Sequence, residues 1–265
     1  MSHPMDTDMW RLGISASVSA DLARLGLLET HYRVAIGEVT RSVLLAGGGV
    51  IYGGRLDPAG YTNFMLRELQ RNVRRDRPLL ACLSADSHRG TSPEEIEDFR
   101  QELGLFGRLV ILDDLTSLRR YMVEHQVGRV FLGGRREGFE GRMPGLVEEL
   151  LLTLQRGQPT YLAGGFGGIT YDVARVLGVP NLPEWPIATE AAGLDEVRAL
   201  VSSGGYQGLH NGLTEEENLW LTTTHRPAEI AALVSRGLRR VLGDQWPAAP
   251  TMGRGSGRGT GVWDE

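Results

Sequence analysis

Residues 129–149 read RVFLGGRREGFEGRMPGLVEE, and their pattern gives the first indication of the fold. The stretch begins with a short apolar run, continues through four glycines and ends in an apolar and acidic segment after Pro144. The apolar run predicts a buried strand, and Pro144 predicts the first helical position, where a missing N–H costs nothing. A strand that ends in glycines just before a helix is typical of anion-binding loops.

Several residues of this stretch are candidate ligand contacts. Gly133 and Gly134 let a ligand approach the backbone, and Arg135 adds positive charge. Met143, Pro144 and Gly145 stand where the helix N-terminus offers free N–H groups and a positive dipole end. The alternative is an ordinary connection in which the glycines only form a tight turn.

The same pattern recurs along the chain. Five further apolar runs predict strands, each followed by a segment with helical spacing: 11–17, 50–54, 78–84, 108–113 and 159–165. Continuous apolar strands that alternate with amphipathic helices indicate a parallel sheet covered on both faces. The predicted fold class is therefore α/β, a Rossmann-like doubly wound parallel sheet of about six or seven strands.

The alternation stops near residue 179, which suggests how the chain is divided. Residues 1–180 are expected to form the ligand-binding domain, and residues 181–243 a helical extension packed on it. Residues 244–265 contain GRGSGRGTG and are expected to form a flexible tail.

Composition limits the function classes. A net charge of −5 argues against general nucleic-acid binding, and the single cysteine, Cys82, excludes a disulfide framework. We expect no membrane partner and a cytoplasmic location, because neither an apolar membrane span nor a signal peptide is apparent. The six histidines show no metal-ligand spacing, so neither a metal nor a cofactor is predicted.

Other strand ends carry further ligand candidates. Ligands of parallel sheets bind beyond the carboxyl ends of the strands. These ends hold two serines, a glycine pair with an arginine, and a second glycine run in which an aromatic ring is expected to stack on a base: Ser15, Ser17, Gly53, Gly54, Arg55, Gly164, Gly165, Phe166 and Gly167. The alternatives are capping or turn formation by the serines and a sharp turn at the second run.

The chain resembles the SLOG superfamily, the Rossmann-like proteins related to the LOG phosphoribohydrolases of the lysine-decarboxylase-like fold. LOG enzymes carry PGGxGTxxE after a strand; Gly133 and Gly134 resemble its glycine pair, and residues 144–148, PGLVE, resemble GTxxE after an insertion. LRRYM, residues 118–122, resembles the RKxxM-like segment of the preceding helix. The likeness covers roughly residues 11–178 and is closest to the bacterial SLOG-cluster type.

The resemblance implies that Arg119 and Glu148 stand where a LOG enzyme keeps its catalytic pair. It also implies a nucleotide-derived ligand, of NAD, ADP-ribose or nucleoside-phosphate type, and a role as a sensor in stress or antiphage signalling. A homo-oligomer, dimer or tetramer, and a separate effector protein are the implied partners. The altered motif leaves two functions open, a sensor and an N-glycoside hydrolase that uses Glu148 and Arg119.

Overall fold

A single parallel sheet organises the protein. The computed structural model describes residues 9–71, 76–139, 141–184, 191–200 and 205–246. Within these residues the sheet has six strands: β1 (Arg11–Ser17), β2 (Gly49–Gly53), β3 (Leu79–Ser84), β4 (Gly107–Leu112), β5 (Gly128–Gly133) and β6 (Thr160–Ala163).

The strand order is β4-β3-β2-β1-β5-β6, and all neighbours are parallel. The chain winds from β1 outward to β4 and then returns to the other side of β1 to form β5. The order therefore reverses between β1 and β5, where Ser15 pairs with Phe131 and Ser17 with Gly133. The predicted Rossmann-like doubly wound sheet is confirmed, and its switch point lies at the strand ends where ligands of such sheets bind.

Nine helices follow or flank the strands in the described residues: α1 (Glu29–Leu45), α2 (Tyr61–Arg71), α3 (Pro93–Leu103), α4 (Leu115–Glu124), α5 (Gly145–Gln155), α6 (Gly168–Val176), α7 (Leu194–Leu200), α8 (Glu215–Thr223) and α9 (Pro227–Leu242). Short 3₁₀ turns occur at Asp86–His88, Gly164–Phe166, Gly205–Leu209 and Gly243–Gln245. Ser92 and Glu95 form a capping box at the start of α3.

Alternate residues of each strand pack into hydrophobic cores on opposite faces of the sheet. On β5, Val130 and Leu132 pack with α1 and α9, whereas Phe131 packs with α5 and α6. On β3, Leu80 and Cys82 pack against α4. Burial raises the pKa of the Cys82 thiol to about 12, so this residue acts as a core side chain.

The C-terminal helices complete both layers. α9 lies along α1, while α7 packs on α5 and α6. Trp246, in the segment expected to form the tail, stacks on Trp10 with ring centroids 5.4 Å apart, directly after the 3₁₀ turn Gly243–Gln245. Residues 247–265 of the expected tail lie outside the described residues.

Among the described residues, every helix is too short or too polar to cross a membrane.

Candidate functional site

A cavity of about 460 Å³ opens beyond the carboxyl ends of the strands. Its walls come from the last residues of β1, β2 and β3, from the segments after β2, β3 and β5, and from the N-terminal halves of α4 and α5: Ser17, Gly53, Gly54, Arg55, Asp57, Ser84, Ser87, Leu115, Leu118, Arg119, Arg135, Gly138, Phe139, Pro144, Gly145, Leu146 and Glu149. This first cavity spans the switch point of the sheet, and its volume is within the range of small-molecule sites, about 300–1,000 Å³.

A buried ionic network lies beneath the first cavity. Arg129, on β5, is fully buried and donates to the Glu149 carboxylate at 2.5 Å and to Ser15 Oγ at 2.9 Å. Ser15 also hydrogen-bonds Glu149, and Gln126 Oε1 accepts from Arg129 Nε at 2.8 Å. Burial lowers the pKa of Arg129, with Glu149 opposing the shift. The network fixes the Glu149 carboxylate at the cavity wall.

The predicted catalytic pair is brought together. Arg119 is largely buried on α4, ion-pairs with Glu148 on α5 and lines the first cavity. Glu148 also accepts from Thr116 Oγ1 at 3.2 Å. Of the two adjacent glutamates, however, it is Glu149 that lines the cavity, and its Oε1 lies 4.0 Å from Arg119 Nε. Sequence reasoning missed Glu149, although counting GTxxE from Gly145 instead of Pro144 places the motif's glutamate at residue 149.

The start of α5 differs by one position from its prediction. Pro144 is the N-cap, with φ −54° and ψ 137°, and Gly145 is the first helical residue. A Cβ on Gly145 would lie 2.7 Å from Arg119 Nη2, so a larger residue here would displace the guanidinium from the start of α5. This close approach places Arg119 and the first N–H groups of α5 on the same wall.

The first glycine loop, at Gly133 and Gly134, has a backbone conformation that favours glycine. Gly133 and Gly134 have φ of +62° and +108°, which L side chains rarely adopt. The Gly134 N–H donates to Ser17 O at 2.9 Å and joins the ends of β1 and β5. Gly53 and Gly54 line the first cavity, and a Cβ on Gly53 would meet Leu118 at 2.7 Å.

The second glycine run does not form an open wall. Phe166, whose ring is expected to stack on a ligand base, is fully buried in the core, with its ring edge-to-face on Tyr32 at 5.3 Å. Gly164 and Gly165 are buried against the end of α8 and the loop after it, at Thr222 and Thr224. These glycines are explained by backbone packing.

Some of the other predicted ligand contacts line the first cavity, and others are buried in the interior. Ser17, Arg55, Arg135, Pro144 and Gly145 line the first cavity. Ser15 and Met143 lie in the interior: Ser15 holds Glu149, and Met143 packs near Val147 in the core over α5. Gly167, with φ +71°, lies against Asp21.

His88 is a positioning residue that the sequence did not single out. Its Nε2 accepts from the Leu56 N–H at 3.2 Å, and its Nδ1 donates to Ser84 O at 2.8 Å. The imidazole thus ties the loop after β2 to the end of β3, and both segments line the first cavity.

A second cavity, of about 530 Å³, shares Arg135 with the first. It is lined by Val18, Ser19, Ala20, Asp21, Gly134, Arg135, Arg136 and Glu137. Arg136 binds Asp21 at 2.9 Å and Asp172 at 2.6 Å. Burial alone would raise the pKa of Asp21, but hydrogen bonds from Arg136 and the Gly168 N–H outweigh it and leave this pKa below its usual value.

No group of three or more histidine, cysteine, aspartate or glutamate side chains in the described part of the chain has an arrangement that could hold a metal ion.

One of the comparisons with known proteins gives a match. A family model described as SLOG cluster2 matches residues 7–84 and 80–221, which together cover the sheet and most of the helical extension. No curated protein and no solved structure matches the chain.

Proposed function

The chain belongs to the SLOG cluster2 family, and from this premise we propose that it binds a nucleotide-derived small molecule in the first cavity. The observation that carries the proposal is the position of Arg55, Arg119 and Arg135 in one cavity at the switch point of the sheet. Three guanidinium groups at a strand-end cleft suit a phosphorylated ligand, because arginine binds phosphate through paired N–H donors.

The N-terminus of α5 supports the same ligand class. Pro144, Gly145 and Leu146 line the first cavity, and α5 continues for 11 residues. The first N–H groups of a helix lack partners within the helix, and its dipole favours an anion there. The Gly145 backbone and the Arg119 guanidinium therefore form one anion-binding wall.

Other polar side chains of the cavity lining suit a sugar. Ser17, Asp57 and Ser84 line the first cavity beside the arginines. Hydroxyl and carboxylate oxygens bind ribose hydroxyl groups, so a phosphate at α5 and a ribose toward β2 and β3 would satisfy both sets of groups.

We favour a sensor that keeps its ligand intact. The Glu149 carboxylate already accepts hydrogen bonds from Ser15 and Arg129 and lies near Arg119. Its oxygens are thus engaged by the protein, which suits a rigid recognition group. The proposed ligand is of NAD, ADP-ribose or nucleoside-phosphate type, and the protein would act in the cytoplasm as a homo-oligomer that signals stress or phage infection to a separate effector.

The second candidate is an N-glycoside hydrolase. It is favoured by the Glu149 carboxylate at the cavity wall and by the Arg119–Glu148 pair beside it. In that reaction water adds to the anomeric carbon, the glycosidic C–N bond breaks and the base leaves with a proton. A carboxylate would stabilise the oxocarbenium-like sugar or activate the water.

A thermal-shift panel with product analysis separates the two functions. The purified protein is heated with NAD, ADP-ribose, cyclic ADP-ribose isomers or AMP, and each mixture is then chromatographed. A ligand that binds only the folded state raises the melting temperature. A shift with intact ligand supports the sensor, and released base supports the hydrolase. If no member of the panel gives either a shift in melting temperature or a product, the proposal is contradicted.

A further inference from the structure

The second cavity adjoins the first through Arg135, which lines both. The first cavity is lined by Arg119 and the start of α5, and the second by the turn after β1 and residues 134–137. Both volumes, about 460 Å³ and 530 Å³, are of small-molecule size. Two cavities that share one arginine suit a single ligand with two halves.

The second cavity has a fixed wall. Asp21 Oδ2 accepts from the Gly168 N–H at 2.7 Å and from Arg136 Nη2 at 2.9 Å. Arg136 is held in turn by Asp172, which is almost fully buried. A carboxylate fixed by a backbone N–H and a paired arginine is pre-organised for recognition, because little freedom is left to lose on binding.

The two cavities differ in their charged side chains. The first carries three arginines, Arg55, Arg119 and Arg135, and the carboxylates of Asp57 and Glu149. The second carries Asp21 and Glu137 with Arg135 and Arg136, and Arg136 is already bound to carboxylates. Carboxylates repel a phosphate and accept hydrogen bonds from hydroxyl or amino groups. The second cavity therefore suits an uncharged sugar or base.

Arg135 stands between these environments. Its neighbour Arg136 is committed to two carboxylates, whereas the exposed Arg135 has no ion-pair partner among the described residues. A guanidinium in this position is available for an anionic linker that passes from one cavity to the other.

We propose that the two cavities form one bipartite site for a ligand with two sugar-bearing halves joined by a diphosphate, with Arg135 on the diphosphate. This inference rests on the proposed function and narrows its ligand class. A nucleoside monophosphate fills the first cavity alone, and the second cavity adds the affinity that distinguishes a two-part ligand from it.

The test uses calorimetric titration of the full chain with ADP-ribose and with AMP. Ala20→Trp fills the second cavity from an exposed position, and Ala23→Trp, in the same turn and also exposed, is the matched control because Ala23 lines neither cavity. We expect the wild type to bind ADP-ribose at least about tenfold more tightly than AMP, a difference of about 1.4 kcal/mol. Ala20→Trp should remove that difference and leave AMP affinity within about twofold, while Ala23→Trp changes neither.

Four results would overturn the inference. ADP-ribose affinity unchanged in Ala20→Trp would show that the second cavity is not used. Equal losses for both ligands would show a general disturbance, which the melting temperatures of the two variants would confirm. Binding of AMP but not of ADP-ribose would reject the two-part ligand and keep the proposed function, whereas binding of neither would count against both.

Discussion

Arg129 donates to Glu149 at 2.5 Å from a position on β5 that is closed to solvent. Its Nη2 has no hydrogen-bond partner among the described residues. A buried guanidinium directly under a cavity thus holds the carboxylate that lines it. A buried charge pair is costly to break on one side, because the remaining charge stays desolvated.

Arg129→Met tests this pair through stability. We expect the free energy of unfolding to fall by about 3–5 kcal/mol, since Glu149 loses its closest cation. Urea denaturation measures the loss. Arg108→Met, at an exposed position of β4, is the matched control and should cost less than about 0.5 kcal/mol. If the two variants are equally stable, the Arg129–Glu149 pair does not stabilise the fold around the first cavity.

Adding Glu149→Leu to Arg129→Met separates charge from packing. Replacing both charges by apolar groups is often nearly neutral in proteins. The double variant should therefore recover part of the stability that Arg129→Met alone loses. A further loss in the double variant would mean that packing, not the stranded carboxylate, explains the first effect.

Adjacent glutamates on α5 should differ in their effect on ligand binding. Glu149→Gln removes the charge at the cavity wall and should lower ligand affinity about tenfold, the value of a charged hydrogen bond. Glu148→Gln acts only through Arg119 and should lower it by about threefold or less. Calorimetric titration compares the two, and the opposite order would restore Glu148 as the ligand-facing acid. If the protein is a hydrolase, turnover should follow the same order.

Phe166→Leu tests the assignment of this ring to the core. The ring is fully buried on Tyr32, so a smaller side chain should cost about 1–2 kcal/mol of stability. Ligand affinity should stay within about twofold, because Phe166 lines neither cavity. Lost affinity with unchanged stability would mean that the ring contacts the ligand after all.

Acid stability should depend on Glu217 at the start of α8. Hydrogen bonds from Arg240, the Thr214 N–H and Arg236 lower the pKa of Glu217 to about 2, against partial burial that raises it. Because the folded pKa is below the unfolded value of about 4.5, this stabilisation is present above pH 4.5 and is lost as the pH falls toward 2. Glu217→Gln should lower stability by about 1 kcal/mol at pH 7 and have little effect near pH 2.

The matched control for this pH dependence is Glu216→Gln. Glu216 stands in the same helical turn and is exposed. Its removal should leave the pH profile of stability unchanged, as measured by urea titration at a series of pH values. A similar profile change in both variants would show that general charge, not the Arg240 contact, sets the acid limit.

The sheet was predictable from sequence because its signals are local. Each strand is a short apolar run such as VIYGG or PLLACLS, and each ends in small residues before a helical segment. Ser92 and Glu95 mark the start of α3 by their spacing alone. Such patterns fix element type and order, and the right-handed crossover rule limits the topology that follows.

The site was less predictable because it depends on orientation. Glu148 and Glu149 are neighbours in sequence, but one helical step turns their side chains about 100° apart, and a one-residue error in the start of α5 exchanges them. Phe166 follows a glycine run that resembles a ligand loop, yet the helices from residue 215 onward cover it. The sequence around Arg129 does not predict that this side chain is buried.

The central claim is that the first cavity holds the ligand, and blocking that cavity tests it most directly. Ser87 lines the first cavity, whereas the exposed Ala85, two residues earlier, does not. Calorimetric titration of Ser87→Trp and Ala85→Trp with the nucleotide that most raises the melting temperature of the wild type compares the two positions. We predict that Ser87→Trp loses binding by at least about a hundredfold while Ala85→Trp binds as the wild type does. Wild-type affinity in a folded Ser87→Trp variant would contradict the account.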